Sequence, residues 1–66
     1  MTTTTEALKM IEEREKTVRT SATPINDVTR VLGYMCDELW QEDNKELKRH
    51  AVHATAIMLK YISEMD

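Results

Sequence analysis

Two apolar ladders separated by a short polar link constrain this chain more than any other feature. Ile25, Val28, Leu32, Met35 and Leu39 step by threes and fours, and so do Leu47, Ala51, Ala54, Met58, Tyr61 and Met65. That period places each set on one face of an α-helix. Gln41, Glu42, Asp43 and Asn44 lie between them, too few for anything except a tight antiparallel connection. The expected fold class is all-α: three helices, a short N-terminal one followed by a long antiparallel helical hairpin, assembled as an oligomer. The expected boundaries are a disordered tail at 1–5 and helices at 6–18, 24–41 and 44–65, all within one helical domain.

The expectation of an oligomer comes from size and from surplus apolar surface. A chain of 66 residues buries only about 60% of the surface that its unfolded form exposes, so its own core is marginal. Cys36 is the only cysteine, which excludes an internal disulfide. Self-association remains as support. Beyond the two ladders, the second helix carries Val31, Tyr34, Cys36 and Trp40, and the third carries Val52, Ile57, Leu59 and Ile62. A helix that is apolar over more than one face is covered on more than one side.

Local signals set the expected element ends. Thr4 or Thr5 is placed to cap the first helix. Thr23 before Pro24 predicts a side-chain cap with proline at the first helical position. Asp43 with Glu46 has capping-box spacing before the third helix. Gly33 interrupts the second helix at a cost of about 1 kcal/mol relative to alanine. The first helix has only a thin stripe, Ala7, Leu8, Met10, Ile11 and Val18, interrupted by Arg14 and Glu15. It is expected to pack across the hairpin or on a neighbouring subunit.

Charge and patterning narrow the function classes. A formal net charge of −3 argues against a general nucleic-acid binder, because phosphate neutralisation supplies most of that affinity. No apolar run approaches the roughly 20 residues that span a bilayer, and the polar N-terminus is unlike a signal peptide. The expected setting is cytoplasmic, with neither nucleic acid nor membrane as partner.

Five features bear on chemistry. Lys16, Arg19, Thr20, Ser21 and Thr23 gather hydroxyls and positive charge where the second helix begins, groups suited to holding phosphate. Tyr34 or Tyr61 could stack on a base. The plainer account of that stretch is a capped helix start behind a polar linker, with Pro24 and Asp27 weakening the anion site. Glu46, His50 and His53 offer zinc-type donors, but the histidines are three apart without a catalytic glutamate between them, so no metal site is expected. The acids Asp37, Glu38, Glu42 and Asp43, with Glu12, Glu13 and Glu15, suggest a magnesium-dependent hydrolase, yet the third helix offers no carboxylate between Glu46 and Glu64 to complete one. They read as a solvated face. Cys36 reads as a buried small apolar residue rather than a nucleophile, and the five methionines as core filler or an adaptable binding face.

The layout of a short leading helix, a hydroxyl-rich linker and a long hairpin, with Arg49, His50, Met58, Leu59 and Lys60 on the last helix, resembles the cyclic-nucleotide sponges of the phage anti-CBASS and anti-Thoeris hairpin family. The likeness lies in layout: the spacing from His50 to Met58 differs by a residue, and Ala56 and Ile57 stand where the family has a glycine before the methionine. The resemblance implies an all-helical homo-oligomer that sequesters signalling nucleotides made by bacterial defence systems, with the ligand near residues 16–23.

The resulting expectation is a non-enzymatic binding protein without cofactor that holds an anionic signalling nucleotide at subunit interfaces. Lys16, Arg19, Thr20, Ser21 and Thr23 would take phosphate, and Tyr34 or Tyr61 would stack. The alternative is a protein–protein inhibitor or adaptor that presents an acidic helical face, around Asp37, Glu38 and Glu42, to a macromolecular partner.

Overall fold

A computed structural model describes residues 1–65. Helices α1 (Thr4–Glu15), α2 (Pro24–Trp40) and α3 (Asn44–Glu64) follow one another, with no strand among the described residues. Helix α3 is the spine. Helices α1 and α2 each pack along it and make no contact with each other. None of the helices is long and apolar enough to cross a membrane.

The core is small because the contacts are made by small side chains. Val31 of α2 meets Ala54 and Ile57 of α3, and Val18, Val28 and Met35 pack around them. Alanines on a helix face let neighbouring axes come close. Ala56, the most enclosed of the described residues at 0% exposure, belongs by helical phase to the side of α3 that meets α1.

The seam on α2 differs from the ladder that the sequence suggests. Val28, Val31 and Met35 face α3, whereas Ile25, Leu32 and Leu39 stay exposed. Both lines have helical spacing; Val31, opposite Ala54, decides which one turns inward. Cys36 is likewise exposed rather than buried, because it lies on the outer line with Leu32 and Leu39.

The first helix begins earlier than the sequence reading placed it, within the stretch expected to be a disordered tail. Thr3 is its cap: its hydroxyl accepts from the Glu6 amide at 3.1 Å and donates to the Glu6 carboxylate at 2.9 Å. Neither Thr4 nor Thr5 fills that role. Thr2 is also engaged, its hydroxyl accepting from Lys48. The helix ends at Glu15 rather than near Val18 because Thr17 turns back on Arg14, through its amide at 2.9 Å and its hydroxyl at 2.8 Å. That turn delivers Val18 to the core.

Helix α2 starts at Pro24, but Thr23 makes no side-chain cap. Its amide donates to the Ser21 hydroxyl at 3.1 Å, so the linker folds on itself instead. The far end closes with a Schellman motif. The Asp43 amide reaches the Glu38 carbonyl at 2.9 Å and the Glu42 amide reaches the Leu39 carbonyl at 3.2 Å, with Glu42 left-handed at φ 57°. Asp43 then caps α3 by accepting from the Glu46 amide at 3.3 Å. The return arm of a capping box is not made, because the Glu46 carboxylate instead holds Arg49, whose Nε lies 3.1 Å away.

Candidate functional site

A cleft of about 520 Å³ opens where the linker, the start of α2 and the last turns of α3 converge. The antiparallel hairpin makes this junction. Val31 packs on Ala54, so the first turns of α2 lie beside Ile57, Lys60 and Tyr61. The linker crosses the opening because Val18 is drawn into the core just before it.

The walls are rich in positive charge and hydroxyls. Arg19, Arg30 and Lys60 line the cleft with Thr20, Ser21, His53 and Tyr61, opposed by Asp27 and Glu64. The ion pairs among them are loose, Arg30 to Asp27 at 3.4 Å and Lys60 to Glu64 at 3.8 Å, and Lys60 also approaches Glu15 of α1 at 3.9 Å. The Thr20 hydroxyl donates to Glu64 at 3.2 Å. Arg14 donates from Nε to His53 Nδ1 at 3.1 Å. His53 has its pKa held below the ordinary 6.5, first by burial and then by the positive charges of Arg14, His50, Arg49 and Arg30. Cations thus crowd this wall, an arrangement that favours an anion.

Side chains supply that charge, not the helix end. Pro24 has no amide hydrogen, the Thr23 amide is taken by Ser21, and Asp27 sits in the first turn of α2. Each of these blunts the anion-binding character of a helix N-terminus.

The structure sorts the residues singled out by the sequence. Arg19, Thr20, Ser21 and Tyr61 line the cleft. Thr23 borders an adjoining shallow groove of about 310 Å³ with Pro24, Ile25, Asn26 and Tyr61. Lys16 is the C-cap of α1 and lines neither. Tyr34 lies toward the other end of the hairpin, its ring tilted 36° against His50 at a centroid distance of 5.7 Å. Sequence reasoning did not assign Arg30, His53 or Lys60 to this cleft. The signal for Lys60 was its place beside Tyr61; Arg30 and His53 required the hairpin register.

A second polar cluster occupies the closed end of the hairpin. Glu38, Glu46 and His50 offer donor atoms within 4.8 Å of one another. His50 Nδ1 sits 2.6 and 2.8 Å from the two Glu38 oxygens, with both side chains mostly buried. His53, the third donor that the sequence suggested, points instead to Arg14. Arg49 balances the charge of Glu46, whose pKa its hydrogen bond lowers. The cluster is therefore knit by hydrogen bonds among its own side chains and closes the hairpin. The other acids are dispersed: Glu15 approaches Lys60 and Asp43 caps α3, so they do not converge on one metal position.

No protein-family model, curated protein or solved structure matches the chain.

Proposed function

We propose that this chain is a non-enzymatic binding protein that sequesters an anionic signalling nucleotide in the cleft between the linker and α3. One observation carries the reading: Arg19, Arg30 and Lys60 converge with the hydroxyls of Thr20 and Ser21 and the ring of Tyr61 on one cavity of ligand size. The cations supply charge-assisted hydrogen bonds to phosphate, and Tyr61 supplies an aromatic face for a base. The groups are suited to holding rather than attacking. The Thr20 hydroxyl donates to the Glu64 carboxylate and the Ser21 hydroxyl accepts from the Thr23 amide, contacts that hold the linker across the cleft mouth. The sponge-like layout of the chain supports a role in lowering the free concentration of a defence nucleotide, as a phage-encoded inhibitor working in the cytoplasm as a homo-oligomer.

Native mass spectrometry of protein purified from bacterial lysate tests this first, followed by titration with cyclic mono- and dinucleotides. A retained nucleotide-sized adduct, lost in the double variant Arg19→Ala, Thr20→Ala, is the expected result. Absence of any nucleotide binding, or binding that the double variant leaves unchanged, overturns the proposal.

A second reading has its own observation. Trp40 is 88% exposed at the closed end of the hairpin, beside exposed Leu39 and flanked by Asp37 and Glu42. An exposed tryptophan within an acidic rim has the composition of a protein-binding hot spot. Under this reading the chain is an inhibitor or adaptor. Charge reversal at Asp37, Glu38 and Glu42 then abolishes capture of its protein partner, while nucleotides have no effect.

A further inference from the structure

We infer that the face of the hairpin turned away from α1 is a self-association surface, covered by the same face of a second copy of this chain. The inference does not depend on what the cleft binds.

Ile25, Leu32 and Leu39 recur at every seventh residue, so they form one line along α2, roughly a quarter-turn from the Val28, Val31 and Met35 seam. All three are exposed, and Cys36 lies on the same line. On α3, exposed Ile62 falls on this side of the hairpin, whereas His53, Ala56 and Lys60 fall on the side that α1 and the linker occupy. The hairpin therefore has one clothed side and one bare side.

The bare side carries no charge along its α2 line, in a chain that is 32% charged. Charged positions of α2 fall elsewhere: Asp27 and Arg30 at the cleft, Glu38 on His50, and Asp37 about 140° around the helix from Leu32. Depletion of charge at an apolar centre is the compositional mark of an interface core. An outer helix face that met only water would instead be polar.

The exposed area supports the same conclusion. A compact monomer of 7.7 kDa is expected to expose roughly 4,300 Å². This chain exposes 5327 Å², an excess of about 1,000 Å² over that expectation. A standard interface takes about 800 Å² from each partner, so the excess is of the size that one partner would cover.

A second copy is the occupant that this surface suits. A strip without charges offers nothing to select a different partner electrostatically. Two such strips placed face to face form a four-helix layer, in which an isologous two-fold contact uses each apolar residue twice. Gly33 borders the same strip, and a Cβ there would meet nothing within 4 Å inside the chain. A close approach by another helix would give this mid-helix glycine a packing reason that the single chain lacks.

Sedimentation equilibrium without nucleotide tests the inference, on the wild type and on Leu32→Glu, Leu39→Glu and a control on the outer side of α1, Glu13→Lys. Leu32 and Leu39 are exposed within one chain, so their glutamates leave the fold intact, which far-UV circular dichroism verifies. The wild type and the control are expected at twice the 7.7 kDa chain mass, and the Leu32 and Leu39 variants at that of one chain. Alkylation of Cys36 gives an independent reading: it slows as the wild-type concentration rises and keeps its monomer rate in Leu32→Glu. A wild type that stays monomeric at the highest concentration reached overturns the inference, even if it captures some other protein. Continued association of the Leu32 and Leu39 variants, or a Cys36 rate that ignores concentration, does the same. None of these readings involves the cleft, so failure here removes the homo-oligomer but leaves nucleotide binding in the cleft standing, and failure of nucleotide binding leaves this surface standing.

Discussion

Arg14 and His53 meet across 39 residues of sequence, the guanidinium Nε donating to the imidazole Nδ1 at 3.1 Å and tying the last turn of α1 to the middle of α3. The guanidinium keeps its protons, so His53 accepts this bond only while its Nδ1 is bare. Burial, then the charge of Arg14, holds the His53 pKa below 6.5 in the folded chain. The unfolded chain therefore takes up a proton first as pH falls. The contribution of His53 is present above 6.5 and is lost progressively as pH drops from there toward the folded value. Denaturant midpoints measured on either side of that pH are expected to fall on the acid side. His53→Gln, which keeps an acceptor for Arg14 but does not titrate, is expected to flatten that slope.

Within the cleft, Arg30 and Lys60 should matter more than two residues that the sequence put forward. Arg30→Ala and Lys60→Ala each remove a charge-assisted bond to phosphate, about 1.5–3 kcal/mol or roughly tenfold or more in affinity. Lys16→Ala and Tyr34→Phe are expected to leave affinity nearly unchanged, since neither residue lines the cleft. Glu64→Gln removes an opposing carboxylate and is expected to tighten binding. Isothermal titration at fixed salt compares them directly.

Two glycine substitutions should act in the same direction for opposite reasons. Glu42 holds a left-handed φ of 57°, a conformation that costs a side-chain-bearing residue roughly 1 kcal/mol, so Glu42→Gly is expected to stabilise the turn by about that amount. Gly33 is right-handed helix with open space at its Cβ, so Gly33→Ala is expected to stabilise one chain by about 0.5–1 kcal/mol. Urea unfolding in the Leu32→Glu background reads both effects on one chain alone.

Ala56 should tolerate no larger side chain. It has no exposed surface, and a leucine there overpacks the contact with α1 at a cost of about 1–3 kcal/mol. Ala56→Leu is expected to raise hydrogen exchange in α1 while α2 remains protected, because α2 does not touch α1.

The hairpin was legible in the sequence because its two ladders and its link admit one topology. The Asp43 cap was legible for the same local reason. Rotation of α2 was not: Ile25, Leu32 and Leu39 match helical spacing as well as Val28, Val31 and Met35 do, and only the position of Ala54 opposite Val31 separates them. The start of α1 was written in the capping spacing of Thr3 and Glu6 but was obscured by a run of four threonines, each able to cap. Of the cleft, Arg19, Thr20 and Ser21 could be read because they adjoin one another. Arg30, His53 and Lys60 come together only through the register of the hairpin, which spacing within one helix does not encode.

Because α1 rests on α3 alone, the order in which the chain assembles follows. Helices α2 and α3 are neighbours in sequence and can zip from their shared turn, closing short loops at little entropic cost. Every tie from α1 to α3 closes a much longer loop, such as Arg14 to His53 or Glu15 to Lys60, and offers no surface until the hairpin exists. The first helix is then the last to arrive and the first to leave. Since the linker that forms the cleft mouth hangs between α1 and the finished hairpin, a newly made chain acquires its cleft only at the final folding step.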